Sequence, residues 1–186
     1  VTGSLIHGDH ISCSRVGGAM RSESARLRRH AQTLADALCD LPESEAPDAG
    51  ATAALARVAG TLRALNATAD DLDQAGAALQ RYATELAEGH ELGRRAELRA
   101  EQAGLLLEGT RVTEPWGPAS ALEAERRLAL VPGVQSRVDL ATAHVGRARG
   151  RLHREMNRLT EGFSAHSREA HLALQAPLPP RRGRPT

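Results

Sequence analysis

The sequence predicts an all-α protein, an elongated antiparallel helical bundle, on three observations. Apolar residues recur three and four positions apart at Leu55, Val58, Leu62, Leu65, Ala69, Leu72, Gly76, Leu79, Ala83 and Leu86, the spacing of one helix face. A second stripe repeats the pattern at Val134, Val138, Ala141, Val145, Ala148, Leu152, Met156, Leu159 and Phe163, so two helical faces must bury against each other. Only Phe163, Tyr82 and Trp116 are aromatic, which leaves Ala and Leu to fill the interior and suits close helix packing better than a sheet.

A chain of 186 residues, 41% hydrophobic and 25% charged, is long enough for one domain with its own core. Residues 1–15 lack periodicity and read as a flexible N-terminal arm. A first helix is expected from about Val16 to Leu41, with Met20, Leu27, Ala31, Leu34 and Leu38 on one face and Pro42 as its stop. The segment PESEAPDAG joins two prolines to acidic residues and reads as a short linker.

The long second helix is expected from about Gly50 to Glu108, continuous but bent at Gly89 and Gly93, where the apolar seam slips out of register. EGTRVTEPWGPAS then forms a corner. Pro118 is placed to open a short connecting helix reaching about Leu130, and Val131-Pro132-Gly133 to separate it from a last helix ending near Gln175. The corner turns the last helix back along the long one, and this helical hairpin receives the N-terminal helix on its side. The bundle domain so defined covers 16–175, followed by a disordered Pro- and Arg-rich tail over 176–186.

All 24 basic side chains are Arg. The absence of Lys excludes a phosphate-loop lysine, a Schiff-base lysine and a Ser-Lys dyad. Residues 51–108 carry six Arg against nine acidic groups and residues 134–175 seven Arg against four, so the two long helices are complementary in sign. Cys13 and Cys39 are too few for a disulfide framework and read as free thiols. No stretch approaches the ~20 apolar residues that cross a bilayer. The N-terminus lacks the regions of a Sec signal peptide, so the expected location is the cytoplasm, with any export by another route.

Among candidate sites, His7, Asp9 and His10 could ligate a metal, but they stand in the arm with nothing to fix their geometry. The helical histidines, His30, His90, His144, His153, His166 and His171, form neither the paired-His zinc helix nor the Glu-x-x-His pairs of a di-metal bundle. His166 falls at a seam position and reads as a partly buried structural residue. There is no Gly-x-Ser-x-Gly elbow and no Gly-rich phosphate loop, and neither cysteine reads as a nucleophile. The expectation is a protein without catalytic residues, cofactor, metal or small-molecule substrate. Arg147, Arg149, Arg151, Arg154 and Arg158, with Arg181, Arg182 and Arg184 in the tail, could contact phosphates. The acidic neighbouring helix and the lack of stacking aromatics favour interhelical ion pairs instead, so nucleic-acid binding is a weak alternative. Trp116, alone in a proline-glycine corner, either plugs the end of the bundle or meets a protein partner.

The stretches LDQAGAALQRYATELAEGHELGRRAE and LEGTRVTEPWGPASALEAERRL resemble helical proteins of actinobacteria related to the WXG100 (ESAT-6-like) proteins of type VII secretion. Those are helical hairpins with a Trp-Gly turn, exported as dimers, and the resemblance spans most of residues 16–175. Here Trp116 is followed directly by Gly117 and Pro118 where the family has Trp-x-Gly. Four residues after Tyr82 comes Leu86, where the family's export tag has Asp or Glu. The resemblance implies a non-enzymatic substrate, chaperone or adaptor of a type VII secretion-linked system, working by helix-mediated protein–protein association. The mechanism would bury the Ala/Leu stripe against a partner hairpin or a second copy, with Trp116, Gly117, Leu72, Gly76, Leu79 and Leu86 as candidate contacts. A cytoplasmic coiled-coil scaffold is the alternative.

Overall fold

A single carboxylate sets where the first helix begins. The computed structural model describes residues 4–40 and 49–175, and α1 spans His10–Cys39. Asp9 Oδ1 accepts the backbone N–H groups of Ile11 and Ser12 at 2.9 and 3.2 Å, and its Oδ2 accepts the Ser12 hydroxyl, which makes Asp9 the N-cap. The helix therefore starts six residues before the expected Val16. The expected stop at Pro42, the PESEAPDAG linker up to residue 48, and the tail over 176–186 lie outside the described residues.

The Ser12 hydroxyl, followed by the Ser12 and Ile11 backbone N–H groups, holds the Asp9 carboxyl below its usual range. A depressed folded-state pKa contributes stability that is complete above the unfolded value and is lost as pH falls through the folded one. We therefore expect Asp9→Asn, a neutral cap, to be less stable than the wild type at pH 6, and the gap to close below about pH 4. Urea midpoints of both proteins at pH 6 and pH 3 check this.

α2, Ala49–Gln102, is one uninterrupted helix. It ends before the expected Glu108 because Gly104 takes a φ of +65°. The Leu105 N–H then reaches the Ala100 carbonyl and the Gly104 N–H the Glu101 carbonyl, both at 2.9 Å, the paired bonds of a Schellman cap. An antiparallel β-hairpin comes next, its first strand where helix was expected and its second in the expected corner: β1 (Leu106–Glu108) and β2 (Arg111–Thr113), with Leu107 opposite Val112. Gly109, at φ +62°, is the first of two loop residues, as a type II′ turn requires.

α3, Ala121–Gln175, is also a single helix and ends where the sequence places it. Its N-cap is Ser120, whose Oγ accepts the Glu123 N–H at 3.3 Å in a Ser-x-x-Glu order, so Pro118 stands outside the helix. The expected short connecting helix is the first turns of α3. Pro132 lies inside it without breaking it. An interior proline costs about 3 kcal/mol. Val131, Val134 and Val138 around it are packed into a hydrophobic cluster, which holds the backbone helical through that point.

α1 and α2 run antiparallel, as do α2 and α3, and the contacts divide the chain into two units. The first comprises Val1–Arg15 and Leu79–Arg154. Its core joins Ala96, Ala100, Leu105, Val112, Val134 and Val138 in one cluster, and Ile6, Leu86, Ala141 and Val145 in another. Residues 4–15 are thus no loose arm. Ile6 is buried, the Leu5 N–H donates to Glu97 Oε1 at 2.7 Å, and His90 Nε2 meets the Gly8 carbonyl at 3.0 Å. The same packing explains the glycines expected to bend α2. A Cβ at Gly89 would lie 2.3 Å from Val145 Cγ2, and one at Gly93 3.1 Å from Ile6 Cγ1, so both serve close approach. Across α2 and α3 the charge complementarity is realised by Arg151 and Glu85 at 2.7 Å.

The second unit comprises Val16–Ala78 and Glu155–Thr186. Small residues bring α1 against α2: Gly17 and Ser24 from one, Ala69 and Gly76 from the other, while Ala31, Ala75 and Ala78 are buried as well. The buried Ser24 hydroxyl donates to the Ala69 carbonyl at 2.6 Å, which spares it the penalty of an unmade bond. Arg21–Asp73 and Arg28–Asp70 flank this contact at exposed positions and add little. No described helix is long and apolar enough to cross a membrane.

Candidate protein-docking interface

The second unit leaves its larger apolar side chains incompletely covered. Leu27, Leu34 and Leu38 on α1, and Val58, Leu62, Leu65 and Leu72 on α2, are all half-buried, while the fully buried positions are mostly Ala and Gly. Small residues let the backbones approach so closely that the leucines are left at the edges of the helix contacts. On α3, Met156, Leu159 and Phe163 continue the stripe, but Phe163, expected in the seam, is 47% exposed.

Between these faces lies a groove of about 180 Å³ lined by Met20 from α1, Asp71, Leu72 and Ala75 from α2, and Met156, Leu159, Thr160 and Phe163 from α3. The chain has two methionines and one phenylalanine, and all three are here. Two polar side chains interrupt the apolar lining. The Thr160 hydroxyl donates to the Met156 carbonyl at 2.9 Å. Asp71 keeps 15% of its side chain exposed, and its Oδ2 stands 3.2 Å from Nδ1 of His166, the seam histidine. The chain matches no family model, no curated protein and no solved structure.

The candidate contact residues fall into three environments. Trp116 is 97% exposed and does not plug the bundle, and beside it Gly117 is exposed with no atom within 4 Å of where a Cβ would stand. Leu72 and Leu79 are half-buried, Leu72 lining the groove. Gly76 and Leu86 are interior. A Cβ on Gly76 would lie 2.6 Å from the Gly17 carbonyl oxygen, and Leu86 is 1% exposed among Ile6, Ala141 and Val145. Those two hold the fold and present nothing to a partner.

Among the remaining candidates, Asp9 is taken up by its capping role, and the His10 ring lies 5.8 Å from that of His90, tilted by 55°. Among the described residues no group of three or more His, Cys, Asp or Glu comes together as a metal site. Cys13 and Cys39 are free thiols. Arg147, Arg149 and Arg154 are exposed, Arg151 pairs with Glu85, and Arg158 reaches Gln74 at 3.4 Å. A larger cavity in the first unit, about 480 Å³, is lined by Leu5, Leu98, Leu105 and Leu107 together with Arg94, Glu97 and Glu101.

The groove itself was missed by the sequence reading, although a signal for it exists. Met156, Leu159, Thr160 and Phe163 succeed one another at helical spacing, and that face carries the chain's one phenylalanine and one of its two methionines.

Proposed function

We propose that this protein works without catalysis, by helix-mediated association with a protein partner or a second copy, through the apolar face of its second unit. The observation that carries this reading is the incomplete cover over that face: Met20, Leu72 and Met156 half-buried and Phe163 47% exposed around one groove. A monomer that satisfied its own stripe would leave no such line of half-covered residues. The exposed Trp116 supplies a second aromatic anchor of the kind enriched at interface hot spots. Within the proposal, a role as a type VII secretion-linked substrate, chaperone or adaptor rests on the sequence resemblance alone.

Light scattering across a range of concentrations, with and without a small helical-hairpin protein of the WXG100 kind as candidate partner, tests it. A dimer or a one-to-one complex is expected, and Phe163→Asp should abolish it while leaving the helical circular dichroism intact. A monomer that ignores the candidate overturns the reading.

A further inference from the structure

We infer that the groove of the second unit receives the side chain of an arginine carried by the partner helix. The stem would lie along Met20, Leu72, Met156 and Phe163, and the guanidinium would meet Asp71. The inference rests on the helix-docking reading and adds to it the chemistry of the partner.

Asp71 is a carboxylate set into an apolar lining, 15% exposed, and His166 engages only its Oδ2. Among the described residues no donor reaches its Oδ1. The neighbouring cations are engaged elsewhere: Arg21 with Asp73, Arg28 with Asp70 and Arg158 with Gln74. Gly162 stands near Asp71, where a Cβ would make only ordinary contact, 3.9 Å from Oδ1 and 4.0 Å from Oδ2. A carboxylate already withdrawn from water has lost much of its hydration, and a permanent cation brought to it recovers more than one brought to an exposed group.

Size and lining choose the occupant. At about 180 Å³ the groove is below the roughly 300–1,000 Å³ of small-molecule pockets, which suits one inserted side chain. Methionines adapt their shape to what enters, and a phenylalanine face accepts a guanidinium by stacking. Arginine fits better than lysine because its planar fork is more weakly hydrated and can bond a carboxylate while stacking on an aromatic ring. A helix carrying an arginine between aliphatic neighbours at i−4 and i+3 presents this combination.

The probe is an Ala-rich helical peptide with one central Arg flanked by Leu, compared with the same peptide carrying citrulline, which keeps the shape and removes the charge. Methyl-labelled methionine gives NMR signals from Met20 and Met156, and both report on the groove. The Arg peptide is expected to shift both signals and to bind at least about tenfold more tightly than the citrulline peptide, a difference of about 1.4 kcal/mol. Asp71→Asn should reduce that ratio to near one. Should Asp71→Asn fail to fold, the ratio on the wild type decides. Equal binding of the two peptides overturns the arginine specificity and leaves helix docking standing. If neither peptide shifts the methionine signals at millimolar concentration, the groove is not the docking site, and light scattering decides separately whether the protein associates at all.

Discussion

Leu86→Ala is expected to destabilise the protein by about 2–5 kcal/mol, the largest loss from any single truncation of its core. The side chain is 1% exposed and is the largest among the fully buried ones of the described residues. It packs with Ile6, Ala141 and Val145, and its Cδ2 lies 3.0 Å from where a Cβ on Gly8 would be. Truncation leaves a void between helices that cannot collapse, because Gly89 already holds α2 and α3 at closest approach beside Val145. With an m-value of about 1–3 kcal/mol/M, a loss of 3 kcal/mol moves the urea midpoint down by roughly 1–3 M. Amide exchange at Leu5, whose N–H donates to Glu97, should accelerate with it. Leu72, on the same sequence stripe, behaves differently. Because this half-buried residue lines a groove, Leu72→Asp should weaken association more than folding.

The second large effect separates two glycines that look alike in sequence. In a helix interior Gly→Ala gains about 1 kcal/mol from propensity and from a less flexible unfolded chain. Gly146→Ala should show this gain, since nothing lies within 4 Å of its Cβ position. At Gly76 the new methyl would stand 2.6 Å from the Gly17 carbonyl oxygen and 2.6 Å from Arg21 Cγ. The arginine stem can swing away; the carbonyl cannot move without parting α1 from α2. Overpacking of this kind costs about 1–3 kcal/mol and also strains the nearby Ser24–Ala69 bond, so Gly76→Ala should be destabilising despite its better propensity. Opposite shifts of the two urea midpoints are expected. Stabilisation of both would mean that α1 and α2 do not meet at Gly76.

The helices were legible because their stripes are long: Val134, Val138, Ala141, Val145 and Ala148 are all buried as the spacing requires. Terms that depend on what stands across from a residue were not. At Gly89 and Gly93 a sequence shows the missing side chain and not the Val145 or Ile6 that fills its space. Asp9 read as part of a His-Asp-His cluster, while its actual role is decided by two backbone N–H groups one turn ahead. The hairpin has strands of three residues each, too short for alternation to register, and only Gly109 before Thr110 marks its turn. Pro132 read as a break because its missing donor is a local cost, whereas the valines that offset it act through tertiary packing. Of the candidate interface, the exposed Trp116 and the groove-lining Leu72 stand where a partner can reach them. Gly76 and Leu86 lie on the same stripe but in the interior, since periodicity identifies a face without saying what lies against it.

Burial of Ile6 against Leu86, Ala141 and Val145 also imposes an order on biosynthesis. The isoleucine leaves the ribosome about 140 residues before Val145 does, so at roughly 5–20 residues per second it waits on the order of ten seconds for its site to exist. During that interval the helices can nucleate locally, whereas this short apolar segment has nothing of its own sequence neighbourhood to cover it. The nascent chain thus carries an early-emerging, late-docking segment, exposed to a chaperone until Val145 has been made.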